Sequence, residues 1–403
     1  MPGTRDASTG ISKRVGAVRE SAILAIERQV RELTSAGHSV ISFAAGEPDF
    51  ATPAEVVEAA IHACSDFRMQ HYTPAAGLPE LREAIAAKTR RDTATDVTSD
   101  NVLVTSGTKQ AVGRAFTTLL DPGDEVLVPS PYWVTFPEAI AFAGGVAVLV
   151  PADEARGFRV SLDHLERALS PRTKALLLVS PGNPTGAVYS EDHLREIGNW
   201  ALERGLWVVS DEIYEQFVYG DAAFHSIAAV VPELAERTLR LNGVAKSYAM
   251  TGWRVGWLIA PKAQIAAASN LQSHDCGNIS NVSQWAALAA LGSGLGSVHR
   301  MRDAFARRRE AILAGLERLP GFECLPPDGA FYVFPSVSGV MGRTLAGQRV
   351  ESSEHLSRLL LDEVRVAVVP GEAFGAPGYL RFSYALADQD LEEGLARLQA
   401  FLT

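Results

Sequence analysis

Residues 238–260 read TLRLNGVAKSYAMTGWRVGWLIA. Two strand-sized runs, Thr238–Asn242 and Val255–Ile259, flank a loop of small residues that carries Lys246 and Arg254. Similar runs recur upstream at Val102–Thr105, Glu125–Val128, Val146–Val150, Ala175–Val179 and Leu206–Ser210. Several are continuously apolar rather than alternating, as expected of strands covered on both faces. Helical patterns lie between most of them, at Lys109–Leu120, Pro137–Phe142, Leu162–Leu169 and Glu191–Arg204, and another follows at Ile265–Leu271. Strand–helix alternation predicts an α/β fold with a mostly parallel seven-stranded sheet between helices. Such sheets bind ligands beyond the C-terminal ends of their strands.

Outside this region the pattern changes. Residues 1–20 read as an N-terminal arm, and an amphipathic helix follows over about Ser21–Ala36. After about Leu291 come a Gly/Ser stretch, Gly292–Gly296, and a long charged helix over about Val298–Leu319. Hairpin-like segments follow at Ala330–Phe334 and Val364–Val369, then a last helix over about Asp388–Phe401. Residues 336–348 read as a mobile loop. The expected division is a large domain over 51–292 and a smaller α+β domain formed by 21–50 together with 293–403.

Composition narrows the function. The 403 residues hold 37 Lys and Arg against 47 Asp and Glu, a net charge of −10, with 47 % apolar residues. That chain can bury a core, and its acidity disfavours phosphate backbones, so no nucleic-acid partner is expected. Three scattered cysteines, Cys64, Cys276 and Cys324, form neither a disulfide framework nor a CxxC pair. HExxH, GxSxG and the P-loop pattern are missing too, so no metal site is expected. No apolar run is long enough for a membrane span and residues 1–20 lack a signal-peptide core, so a cytoplasmic location is expected. Gly292–Gly296 follows a helical pattern rather than a strand and reads as a linker, not a dinucleotide loop. Arg307–Arg309 reads as a solvated or domain-bridging helix face.

Four features sit where strands end. Thr105-Ser106-Gly107-Thr108-Lys109 is a small-residue turn into a helix, suited to an anion or simply to a capped helix start. Ser180-Pro181-Gly182-Asn183-Pro184-Thr185-Gly186 is a rigid turn whose single long polar group is Asn183. Ser210-Asp211-Glu212-Ile213-Tyr214 ends an apolar strand; a buried carboxylate there needs a cationic or donor partner, whereas a helix cap would not. The fourth is the loop quoted first. A partly desolvated Lys246 loses its proton readily and can serve as nucleophile and base, and Arg254 offers a fork for phosphate or carboxylate. A phosphate cradle, an amine, a carboxylate and two further donors form a set that suits pyridoxal phosphate.

With these residues in hand the chain resembles the class I aminotransferases of the fold-type I pyridoxal-phosphate superfamily, nearest the bacterial aspartate/prephenate branch. The resemblance runs from about Val15 to Ala400. It rests on Ala45–Phe50, Tyr72–Leu78, Asp121–Asp124, Pro131–Trp133, SPGNPTGA at Ser180–Ala187, SDEIYE at Ser210–Glu215, Gly243–Trp257, Pro370–Gly375 and Leu380–Tyr384. It implies that Lys246 holds the cofactor through its amine and then carries the substrate proton. Asp211 would pair with the ring nitrogen, Asn183 and Tyr214 would donate to the phenolic oxygen, and Trp133 would stack on the ring. Ser106, Gly107, Thr108 and Arg254 would hold the phosphate, with Tyr72 reaching it from the second subunit of a homodimer. Arg381 would bind the substrate α-carboxylate near the Gly46 backbone.

The resemblance also implies a substrate class: amino acid and 2-oxo acid, exchanged by a ping-pong mechanism. Lys109, with Ser21 close by, would bind the distal carboxylate of aspartate or glutamate. Two departures stand out. Ile23 replaces an expected hydroxyl residue, and His274-Asp275-Cys276-Gly277-Asn278 replaces small hydroxyl residues. Asp275 there could repel an acidic side chain, which keeps a specialised aminotransferase, or elimination, decarboxylation or oxidation on the same scaffold, as alternatives. A non-catalytic cofactor-binding regulator is the third; the intact Lys246 and the short N-terminal arm count against it.

Overall fold

The computed structural model describes residues 10–16, 18 and 20–403; most of the expected N-terminal arm lies outside them. The main sheet has seven strands: β1 Val102–Thr105, β2 Glu125–Ser130, β3 Val146–Pro151, β4 Thr173–Val179, β5 Trp207–Asp211, β6 Thr238–Gly243 and β7 Gly256–Ile259. Their spatial order is β1-β7-β6-β5-β4-β2-β3. β7 runs antiparallel to both neighbours, and every other pairing is parallel. The apolar runs explain the layering. Every residue of β1, β6 and β7 is buried, and alternate residues serve opposite faces. Leu258 packs with Val112 and Phe116 on one side, while Trp257 and Ile259 pack with Leu81 and Ile85 on the other. Register brings Val179, Asp211 and Leu241 side by side, so the polar loops leave the sheet along one edge.

Two helices position the rest of the site. Helix α1, Ala22–Ser35, approaches from the N-terminal segment, and α2, Thr108–Leu119, starts directly after β1. Glycine at 256 lets β7 reach the start of α2: a Cβ there would stand 2.4 Å from the Thr108 nitrogen.

The C-terminal part is built differently. Tyr332–Val333, Leu380–Ser383 and Val369–Pro370 form an antiparallel sheet with Leu380–Ser383 in the middle. The expected hairpin-like segments, Ala330–Phe334 and Val364–Val369, thus supply strands to this sheet without pairing with each other. Val366–Ala367 instead pairs in parallel with Ile41–Ser42 from the far end of the chain. A partner more than 300 residues away leaves no trace in local spacing. Residues 336–348 also differ from the loop expected: Val337, Val340 and Leu345 are buried in the core of this part. Thr344–Leu345 and Gln348–Arg349 close a hairpin through Ala346 and Gly347, both with positive φ as a tight primed turn requires.

The long charged helix, α3, spans Gly296–Leu316. Its Arg308 bridges Asp49 (2.8 Å) and Asp388 (2.6 Å), so the arginine run ties the two chain ends together. Among the described residues no helix is long and apolar enough to cross a membrane.

Candidate active site

Beyond the ends of β4, β5 and β6 lies a cavity of about 460 Å³. Asp211 forms part of its floor. The side chain is 4 % exposed, and its Oδ1 accepts the Ile213 N–H at 3.1 Å, an Asx turn rather than a helix cap. Burial pushes the carboxyl up to about 7; the Glu212 charge adds to the rise, while the Ile213 N–H and Lys246 oppose it. A carboxylate in that setting fits a cationic ring nitrogen as its partner.

Lys246 lines the same cavity from the loop after β6. Its Nζ donates to the Gly46 carbonyl oxygen, which draws the N-terminal segment into the site. Burial brings the amine down to about 8, so a reactive neutral fraction of about one in ten exists near pH 7. Ala249 and Arg254, in the same loop, both adopt left-handed backbone conformations (φ 51° and 58°). That costs roughly 1–2 kcal/mol per residue. Thr52 braces the bend: its hydroxyl donates to the Ala249 carbonyl (2.9 Å) and accepts from Trp253 Nε1 (3.0 Å).

Arg254 turns back over the start of α2, donating to the Thr251 and Ser106 carbonyls at 3.0 and 3.1 Å. A Cβ on Gly107 would fall 2.4 Å from its guanidinium, so this turn stays bare. A bare helix start beneath a guanidinium fits a phosphate. The Ser106 N–H itself is taken by Gln110 Oε1 (2.6 Å). The Thr108 hydroxyl likewise donates its proton to the Asn242 carbonyl (3.1 Å), so at this end of the cavity Arg254 is the charged donor and Thr108 can offer an anion only its backbone N–H at the helix start.

Arg381 enters from the C-terminal sheet and is 1 % exposed. Its guanidinium donates to Asn183 Oδ1 (3.1 Å) and the Ala44 carbonyl (2.6 Å) and stacks over the Tyr332 ring at 4.5 Å. Burial pulls its pKa below the ordinary value, and the buried Nε has no partner among the described residues. A cation held so, with donors unused, is built for a carboxylate. Asn183 is fixed by the same bond. The Tyr214 hydroxyl shares a 2.9 Å hydrogen bond with that of Tyr332. Trp133 walls the cavity, with Lys109 Nζ 5.2 Å from its ring centre. Burial, then the Arg254 charge, lowers the Lys109 pKa. Ser21, Ile23 and Gly46 complete this side.

The fold thus gathers Lys246, Asp211, Asn183, Tyr214, Thr108, Arg254, Trp133, Gly46, Lys109, Ser21 and Arg381 around one space. Ser106 and Gly107 stand just behind it, under Arg254. Tyr72 is not brought in: it is 98 % exposed on the outside of its own chain. Asp275 does not line the cavity either; it pairs with Arg114, and Cys276 Sγ accepts from Gln110 Nε2 at 3.2 Å. Sequence reasoning passed over Tyr332, which sits in an apolar run, and Glu47, which accepts from the Thr251 hydroxyl at 2.6 Å. It also passed over Leu24 and Glu27, which α1 turns into the cavity beside Ile23.

The chain is similar to known proteins over nearly its whole length. The family profile described as aminotransferase class I and II matches residues 38–398. An aspartate aminotransferase of Streptomyces avermitilis is 57 % identical over 393 residues, covering 98 % of this chain and 96 % of that one. A probable aspartate/prephenate aminotransferase of Aquifex aeolicus is 43 % identical over 395 residues, covering 98 % of each. Among solved structures, the Rhizobium meliloti aspartate aminotransferase superposes with a TM-score of 0.93 at 37 % identity, covering 97 % of this chain and 98 % of that one. The Thermus thermophilus aspartate aminotransferase with maleate gives 0.91 at 41 % identity, covering 98 % and 100 %.

Proposed function

The chain belongs to the class I and II aminotransferase family, and on that premise we propose a pyridoxal-phosphate enzyme that moves an amino group between aspartate or glutamate and a 2-oxo acid. One observation carries this reading: an amine of lowered pKa, Lys246, shares a cavity with two anion-seeking guanidinium groups, Arg254 and Arg381. Pyridoxal phosphate, when bound, supplies an aldehyde that amines condense with and a ring that takes up electrons.

The chain's own residues do the rest. Thr108, Arg254 and the turn at Ser106 and Gly107 hold the phosphate, with Tyr72 of a second copy as a further donor. Asp211 keeps the ring nitrogen protonated, Trp133 covers a ring face, and Asn183 and Tyr214 donate to the phenolic oxygen. Arg381 takes the α-carboxylate through its fork, which orients the Cα–H bond. Lys246 removes that proton and returns it, a task suited to a base titrating near neutrality. Lys109 and Ser21 face the side chain, and a lysine there favours a distal carboxylate. The dispersed cysteines accord with a reducing cytoplasm.

The test is a half-reaction. Holoenzyme mixed with aspartate or glutamate alone should change its cofactor absorbance, and a 2-oxo acid should reverse the change. An unchanged spectrum across acidic, aromatic, aliphatic and basic amino acids would refute the assignment.

A further inference from the structure

Among the described residues, Glu27 is the one carboxylate of the cavity that the proposed reaction does not use and that no neighbour holds. Asp211 is bound by the Ile213 amide and Glu47 by Thr251. Glu27 lies three residues beyond Leu24 and four beyond Ile23, so α1 presents all three on one face to the cavity. Among the described residues it makes no hydrogen bond and no ion pair. Its helix neighbour Arg28 is taken by Glu20 at 2.5 Å. Lys109, across the same cavity, also lacks an ion pair among the described residues; the Trp133 ring lies 5.2 Å from its Nζ, and the Arg254 charge acts on it too. Burial lowers the pKa of both Lys109 and Arg381, and the Glu27 charge opposes that lowering as the smallest of the influences on each.

We propose that Glu27 is a resident counter-ion for Lys109 that weakens the pocket's hold on an acidic side chain and lets an uncharged aliphatic donor bind there as well. The inference rests on the reading that Lys109 faces the donor side chain. A distal carboxylate at Lys109 meets the like charge of Glu27, which opposes binding. An aliphatic side chain needs the opposite: Lys109 must be neutralised as water leaves, and Glu27 supplies that charge while Ile23 and Leu24 supply apolar surface. The pocket is then balanced between two donor classes.

Calorimetry on holoenzyme tests this without turnover, using succinate and 4-methylpentanoate as amine-free mimics of the two donors. Glu27→Gln should bind succinate about fivefold more tightly and 4-methylpentanoate about threefold more weakly. Glu27→Asp, which keeps the charge, should stay within about twofold of wild type for both, and 0.5 M NaCl should shrink the Gln effect. Lys109→Ala should lose about tenfold in succinate affinity. If Lys109→Ala weakens succinate while Glu27→Gln moves neither ligand, the counter-ion role is wrong and the acidic-donor reading stands. If Lys109→Ala leaves succinate unchanged, the acidic-donor reading fails and the counter-ion role with it.

Discussion

Asp211 keeps its proton up to about pH 7 because its surroundings are dry, not because a partner holds the proton. The sign for stability follows. A carboxyl whose folded pKa stands above its unfolded value near 4 favours folding while protonated, and that advantage fades as pH rises from about 4 to 7. Cofactor-free wild type should therefore lose stability relative to Asp211→Asn between pH 5 and 8, read as urea midpoints. Parallel midpoints across that range would show the carboxyl to be solvated. In holoenzyme the same substitution should cost activity, since Asn cannot hold a proton on the ring nitrogen: kcat should fall by about 10²–10³. Residues with distinctive chemistry at strand ends, such as Asp211, Lys246 and Arg254, were legible in the sequence. Tyr332 was not, because a tyrosine inside an apolar run reads as core. Glu27 was not, because a charge on an amphipathic helix reads as its wet face.

The strands of the main sheet were legible because burial on both faces demands continuous apolar runs, and that demand is local. The two-residue strands of the C-terminal part were not: Ile41–Ser42 has its partner at Val366–Ala367, and hydrogen bonding over that distance leaves no periodicity. Glycines mark the junctions that matter between elements. Gly256 lets β7 touch the backbone at the start of α2, the turn proposed to hold the phosphate. Gly256→Ala must push that backbone away. It should cost about 1–3 kcal/mol of stability and weaken binding of pyridoxal phosphate by at least about tenfold, measured by fluorescence titration. Gly292→Ala, whose Cβ would have nothing within 4 Å and which does not line the cavity, is the control and should not weaken cofactor binding. Equal cofactor affinity in both variants would mean that the junction does not shape the cradle.

At the scale of the whole molecule, the N-terminal segment and the C-terminal part share a core: Ile41 and Phe43 pack with Val366, Phe382 and Leu395. The same cluster also takes in Ile213, Tyr214 and Phe217, so it joins the chain ends to the large-sheet part as well; we propose a large unit over 51–292 and a small one from both chain ends. Arg381 would then carry the grip on the α-carboxylate from the small unit to the large. One chain still leaves surface unaccounted for. Val57, Ile61, Phe67 and Tyr72 are all exposed, and Val57 and Ile61 sit one turn apart on the helix Ala54–Ser65. Such a face suits a second copy, and the chain should sediment at twice its mass. Tyr72→Phe should leave that mass unchanged yet weaken cofactor binding by about tenfold, the effect of losing one hydrogen bond to a charged group. Mixed dimers decide whose site Tyr72 serves. Combining Lys246→Ala chains with Tyr72→Phe chains leaves one working lysine per dimer, in the Tyr72→Phe chain. If Tyr72 crosses the interface, that site receives an intact tyrosine from the partner and binds pyridoxal phosphate with wild-type affinity. If Tyr72 serves its own chain, the same site keeps the tenfold defect and the proposed sharing is wrong.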